Sequence, residues 1–140
     1  MARGDHFGGS FVSQVKIYGL AATLQPIKRQ LSDVIHGCVM DALQMPADKR
    51  AHRFFSLERD DFFMPGGRSD AYLILEITMM QGRSVDTRKK LVRLLFERIE
   101  QQLGIAVQDI EICIYESAPE NWGFRGMHGD EVKLNYSVNI

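Results

Sequence analysis

Apolar residues recur along the chain with two periods, two for strands and three to four for helices, and the alternation between them predicts the elements in order. Val15 and Ile17 flank Lys16 as in a half-buried strand, with Gly19 as its expected end. From Pro26 onward Ile27, Leu31, Val34, Ile35, Cys38, Val39, Ala42 and Leu43 fall at helical spacing. Pro26 belongs to the first turn, where its missing N–H costs nothing, and Pro46 closes the helix. Residues 53–58 (RFFSLE) predict a strand and residues 59–67, with two Gly and a Pro, a loop. Residues 72–80 (YLILEITMM) form a near-continuous apolar run of strand length, the pattern of a strand covered on both faces. Ser84 then caps a second helix whose apolar face is Leu91, Val92, Leu95, Ile99 and Leu103, with Gly104 as its stop. Residues 110–116 (IEICIYE) are a further strand, and residues 117–130 (SAPENWGFRGMHGD) are too rich in Gly, Pro and Asn for a regular element. Val132, Leu134, Tyr136, Val138 and Ile140 alternate strictly, which predicts a terminal strand.

These elements repeat. A shift of 57 places Ile17 on Ile74, Leu20 on Ile77, Val34 on Leu91, Ile35 on Val92, Cys38 on Leu95, Val39 on Phe96 and Ala42 on Ile99. Two copies of strand, helix, strand predict an α+β fold: a two-layer sandwich with one four-stranded mixed sheet, two helices on a single face and an added C-terminal strand. The other sheet face is then bare. The apolar run at 72–80 implies a cover for it, and in a chain this short the expected cover is another subunit. Element order alone fits either a ferredoxin-like or a tautomerase-like strand order.

Composition narrows the function classes. One domain accounts for 140 residues, 45% of them hydrophobic. Seventeen Lys+Arg against eighteen Asp+Glu leave a net charge of −1 and a pI near 6.4, with no global pull toward nucleic acid or anionic membranes. Basic residues such as Arg50, Arg53, Arg68, Arg88, Lys89 and Lys90 come without an aromatic RNA-binding signature. Cys38 and Cys113 are far apart, as expected of small buried hydrophobes in a reducing compartment. Four scattered His give no metal-ligand spacing, so no metal is expected. No signal-peptide core or membrane span is present, and the expected location is the cytoplasm. Residues 1–12 read as a flexible N-terminal extension, and residues 13–140 as the single domain.

The segments GRS at 82–84 and SAPENWGFRG at 117–126, with VKIYG at 15–19 and MPADKR at 45–50, carry a resemblance. From Ser13 onward the chain resembles the tautomerase superfamily, which includes 4-oxalocrotonate tautomerase and macrophage migration inhibitory factor, and most of all its malonate semialdehyde decarboxylase-like branch. The resemblance implies a MIF-like homotrimer whose sites lie at subunit boundaries and whose chemistry is cofactor-independent tautomerisation or decarboxylation of small carboxylated keto or enol compounds. It also implies an amino-terminal proline as the proton-carrying amine, and arginines that hold the substrate carboxylate.

Carried over residue by residue, that pattern is partly kept. The proline position is Ser13, whose nitrogen is a peptide amide without the basicity of a secondary amine, so no general base is assigned. Arg83 matches a carboxylate-binding arginine, placed where a helix amino terminus adds its amides; its competing role is a solvated loop cation. The branch's second arginine is replaced by Gln81. Trp122 and Phe124 match pocket aromatics and compete with subunit packing for the same residues. Asn121 either orients a ligand or makes a turn. The branch's water-activating aspartate aligns with Lys49, one position from the candidate carboxylate Asp48, and both read more simply as surface charge. His36 and His52 are weaker candidate bases. The expected function is a pocket for a small carboxylated keto or enol compound. The alternatives are a non-catalytic trimer that binds a small anion or a protein, and a ferredoxin-like sensing or interaction domain.

Overall fold

The computed structural model describes residues 13–132 and 140. Strand β1 (Ser13–Leu20) runs into a single helical turn, α1 (Ala21–Leu24), then a 3-10 turn (Gln25–Ile27) and the long helix α2 (Lys28–Leu43). After β2 (His52–Leu57) come β3 (Leu73–Met80), α3 (Val85–Leu103) and β4 (Ile110–Ser117). The sheet order is β2-β1-β3-β4, with β1 and β2 parallel, β3 and β4 parallel, and β1 antiparallel to β3. Each strand-helix-strand unit thus supplies one parallel pair, and the two units join along β1 and β3. The predicted α+β class, with its four-stranded mixed sheet and two long helices, is the observed one.

One face of each strand meets the helices. Val15 and Ile17 of β1 and Leu73, Leu75, Ile77 and Met79 of β3 pack against Leu31, Ile35, Cys38, Leu91, Leu95 and Ile99 in one core. Helix α3 begins with the Ser84 side chain accepting the Thr87 N–H and ends at Gly104 with φ of +71°, the two signals legible in its sequence.

Several expectations change. Pro26 does not open α2; it lies in the 3-10 turn between α1 and α2, because the chain needs residues 21–27 to climb from the sheet to the helix layer. The second unit makes that climb in residues 81–84, three fewer. The repeat therefore holds at 57 for the helices but at 60 for the strands. Val15 pairs with His52 as Leu75 pairs with Ile112, and β1 and β3 share one burial pattern. A shift of 57 would have turned Ile74 toward the helices, whereas it faces away from them.

The sheet's outer face is less apolar than the run at 72–80 suggested. Part of it is covered from within the chain, where Phe62, Met64 and Tyr72 pack on Leu20, Leu57 and Ile74. The rest mixes polar and aromatic groups: the Tyr18 hydroxyl donates to Glu76 Oε1 at 2.8 Å, the Tyr18 ring stacks on Phe55 at 4.8 Å, and Phe55 and Tyr115 are exposed. Cys113 lies on this face and is exposed, contrary to the expectation of a buried thiol; Cys38 is buried as expected. Neither is disulfide-bonded. Residues 117–130 also contain a small hairpin, β5 (Gly123–Phe124) with β6 (Met127–His128). Arg125 and Gly126 take φ of +57° and +76°, the positive pair that a tight two-residue turn requires. The extension at 1–12 and most of the expected terminal strand, residues 133–139, lie outside the described residues.

Candidate functional site

The parallel and antiparallel pairings bring the starts of β1 and β2 and the ends of β3 and β4 to one end of the sheet. Ser13 opens this end, Arg83 follows β3 beyond it, and Trp122 and Phe124 pack on Met80, the last residue of β3. Ser13 opens β1 opposite Met79 and is buried at 3% exposure, and its Oγ has no hydrogen-bond partner among the described residues. Arg83 follows β3 and is buried at 4% exposure. It is therefore not the solvated loop cation of its competing role. Its Nη1 points back to the Met80 carbonyl at 3.5 Å, and Gly82, with φ of +139°, makes the bend that turns it inward. Directly after it, the Ser84 and Thr87 hydroxyls at the start of α3 donate to the Ile140 carbonyl oxygen at 3.0 and 2.6 Å. The first turn of this helix thus already holds an oxygen ligand.

Trp122 and Phe124 are both buried, packed with Met80 and Val132. The indole Nε1 is enclosed without a hydrogen-bond partner among the described residues. Gly129 draws the segment tight: its N–H donates to the Trp122 carbonyl at 2.9 Å, and a Cβ there would stand 2.5 Å from the Pro119 carbonyl oxygen and 2.8 Å from Met80 Cε. Asn121 is exposed and ends the 3-10 turn Pro119–Asn121, with its N–H on the Ala118 carbonyl at 2.9 Å, so the structure gives it a turn-forming part. Gln81 is exposed.

Of the two loop charges expected at the surface, Asp48 is there and Lys49 is not. The Asp48 side chain is 64% exposed, whereas that of Lys49 is 2% exposed, with Nζ 3.8 Å from Asp48 Oδ2. Lys49 is no surface charge. Nothing in the local pattern MPADKR distinguishes the two, since enclosure of the lysine comes from the return of the chain to the start of β1, a tertiary event.

His36 and His52 lie between α2 and the edge strand β2, with His52 paired to Val15 of β1. His36 Nε2–H donates to the Ala47 carbonyl at 2.7 Å, and His52 Nδ1 meets Ser32 Oγ at 2.8 Å, with ring centroids 6.1 Å apart. Burial, with the nearby His36 and Arg50, pushes His52 down to about 4. Among the described residues, no group of three His, Cys, Asp or Glu is placed to hold a metal ion, and no helix is long and apolar enough to cross a membrane. Two broad grooves of about 510 and 530 Å³ lie elsewhere, one along α3 beside Ile114 and one between the start of α2 and Phe54. Neither includes Ser13, Arg83 or Trp122; we place the site by its buried polar groups, because groove size alone selects no chemistry.

A four-stranded mixed sheet with two long helices on one face, and a buried arginine following β3, define an α+β two-layer protein. Comparison with known proteins gives that class a family: residues 49–125 match the family model described as "Tautomerase enzyme", and the chain belongs to that family. It is 26% identical over 101 residues to the probable tautomerase YusQ of Bacillus subtilis (strain 168), covering 69% of this chain and 80% of the relative. It is 29% identical over 101 residues to the probable tautomerase YrdN of the same organism, covering 69% and 78%. Among solved structures, it shares the fold of malonate semialdehyde decarboxylase (TM-score 0.71, 22% identity, 79% of this chain and 89% of that one). It shares it also with native fused 4-OT (TM-score 0.75, 18% identity, 85% and 98%).

Proposed function

We propose that this chain holds a small carboxylated keto or enol compound at the Ser13 end of its sheet, as a tautomerase-family protein whose chemistry does not run through a proline amine. The observation that carries the reading is Arg83, buried at 4% exposure immediately before the capped amino terminus of α3. A planar guanidinium there offers a carboxylate two parallel hydrogen bonds, in an environment where water competes little. Ser13 Oγ–H and Trp122 Nε1–H, both enclosed, are the donors offered to the ligand's carbonyl or enolate oxygen. Phe124 and the Trp122 ring supply the apolar wall that strengthens these contacts.

Such a donor set stabilises an enolate, the intermediate common to keto–enol exchange and to loss of CO2 from a 3-oxo acid. With the Ser13 nitrogen in a peptide bond, the proton-carrying group is unassigned. Proton exchange is expected to be slow, and a purely binding role is the second reading, favoured by that same amide. We propose further that three copies assemble in the cytoplasm, a reading supported by the solved fused 4-OT trimers that share the fold and by two cysteines that form no disulfide. The test is deuterium exchange at C3 of 2-oxo acids, followed by NMR together with binding. Wild type is expected to bind, and Arg83→Gln to lose at least tenfold in affinity. Unchanged affinity in a folded Arg83→Gln protein removes the proposal, and exchange at the uncatalysed rate leaves the binding role.

A further inference from the structure

The groove between the start of α2 and Phe54, about 530 Å³, holds a hydroxyl and an imidazole in contact, and the reading above uses neither. Ser32 lines it, half-buried in the second turn of α2, with Oγ 2.8 Å from His52 Nδ1. Arg50 Nη1 donates to the same Oγ at 3.0 Å and to Asp33 Oδ1 at 2.7 Å. With a guanidinium N–H already on the oxygen, the hydroxyl proton is directed to Nδ1, which puts the ring proton of a neutral His52 on Nε2. Burial, with His36 and Arg50, is what keeps that imidazole neutral, down to about 4. The fold itself does not call for this pair. The second strand-helix-strand unit has its own groove, along α3 beside Ile114, and the strand offset of 60 sets Phe54 on Ile114. There Ile112 stands at the place of His52, and the helix offset of 57 puts Lys89 at that of Ser32, so the same scaffold is built without either group.

A serine hydroxyl becomes a nucleophile when a base takes its proton and a cation steadies the oxygen left behind, and His52 and Arg50 meet Oγ in those two roles. As a base His52 is weak, which restricts the chemistry to leaving groups that depart without being protonated. The rest of the groove selects among them. Lys28, Arg29 and Arg50 line it beside Pro26 and Phe54, so cations surround the hydroxyl and a small apolar wall adjoins it. We propose that Ser32 takes the acyl group of a small acyl phosphate, whose phosphate end is received by Arg50, Lys28 and Arg29. In that step Oγ bonds to the acyl carbon, the bond from that carbon to the phosphate oxygen breaks, and phosphate leaves with the electron pair. The hydroxyl proton passes to His52 Nδ1 and from there to solvent, and an ester remains on Ser32. This centre shares no residue with the reading of Arg83 and stands or falls without it.

The test incubates the full chain with acetyl phosphate and maps the products by peptide mass spectrometry before and after hydroxylamine, which cleaves an ester and spares the amide that a lysine forms. Wild type is expected to gain a hydroxylamine-labile acetyl group on Ser32 at least tenfold faster than on any other serine, and inorganic phosphate to slow that gain. His52→Gln and Arg50→Gln are each expected to slow it at least tenfold. The charged and titratable groups facing His52 are His36 from α2 and Arg50, with Asp33 behind Arg50. They leave it neutral between about pH 5.5 and 8, so the Ser32 rate should be flat there while amide formation at lysines climbs. Label confined to lysines overturns the proposal, as does a Ser32 rate no faster than that of the other serines or one untouched by phosphate. Each of these is read on wild type and needs no variant to fold. A Ser32 rate that climbs with pH as the lysines do, or a folded His52→Gln protein labelled as fast as wild type, overturns it as well.

Discussion

A histidine enclosed between a helix and an edge strand is a neutral group in the folded chain and an ordinary titrating one in the unfolded chain. His52 is such a group, with its Nδ1 on Ser32 Oγ and its affinity for a proton pushed down to about 4, by burial first and by His36 and Arg50 after it. The unfolded chain takes up the proton near the usual histidine value of about 6.5, so between pH 6.5 and 4 it binds more protons than the folded one. Stability should be insensitive to this group above pH 7 and fall by up to about 3 kcal/mol as pH drops to 4. Urea unfolding of wild type and His52→Gln across that range measures it; a wild-type curve no steeper than that of the variant excludes His52 as the source. Legibility differed among residues for physical reasons. Arg83, Trp122 and Phe124 were singled out through the resemblance carried by the segments around them, and position alone did not show the burial of Arg83, just as it did not show that of Lys49. The exposure of Cys113 was readable in principle, because Ile110, Ile112 and Ile114 take the even positions of β4 and leave 111, 113 and 115 for the other face.

Elements with one dominant period were read well, and those held by close backbone approach were not. Helix α3 announced both ends through Ser84 and Gly104, while α2 was misplaced at its start because a proline suits a 3-10 turn as readily as a first helical turn. The hairpin β5–β6 escaped notice because its turn uses Arg125 in place of the Asn or Gly that marks such turns. Its neighbour Gly129 is where this segment is most vulnerable. The methyl group of Gly129→Ala would meet the Pro119 carbonyl oxygen at 2.5 Å, and a backbone oxygen cannot swing aside as a side chain does. The substitution should cost roughly 1–3 kcal/mol and loosen the packing of Trp122. Trp122 is the single tryptophan, so a red-shifted emission reports that change directly, and unaltered emission with unaltered stability would show that the segment yields without cost.

At the scale of the molecule, the doubled unit was legible, its offset was not. Helix and strand repeats differ by three residues because the two climbs from sheet to helix differ in length, and no pattern confined to one element reports the length of a neighbouring connection. The corrected offset compares the two ends of the sheet position by position. Under the strand offset of 60, Ser13 corresponds to Leu73 and Lys49 to Asp109; under the helix offset of 57, Arg83 corresponds to Pro26. Asp109 is buried, accepting the Ser69 N–H at 2.8 Å and the Ser69 hydroxyl at 2.6 Å. The opposite end thus presents an apolar side chain, a proline and a satisfied carboxylate at the positions equivalent to Ser13, Arg83 and Lys49. The halves are alike in shape and differ in these side chains, so the proposed binding of an acid belongs to one half of the chain. Calorimetric saturation at one acid per chain, against a light-scattering mass of three chains, is the expected stoichiometry, and two acids per chain would mean that the opposite end binds as well.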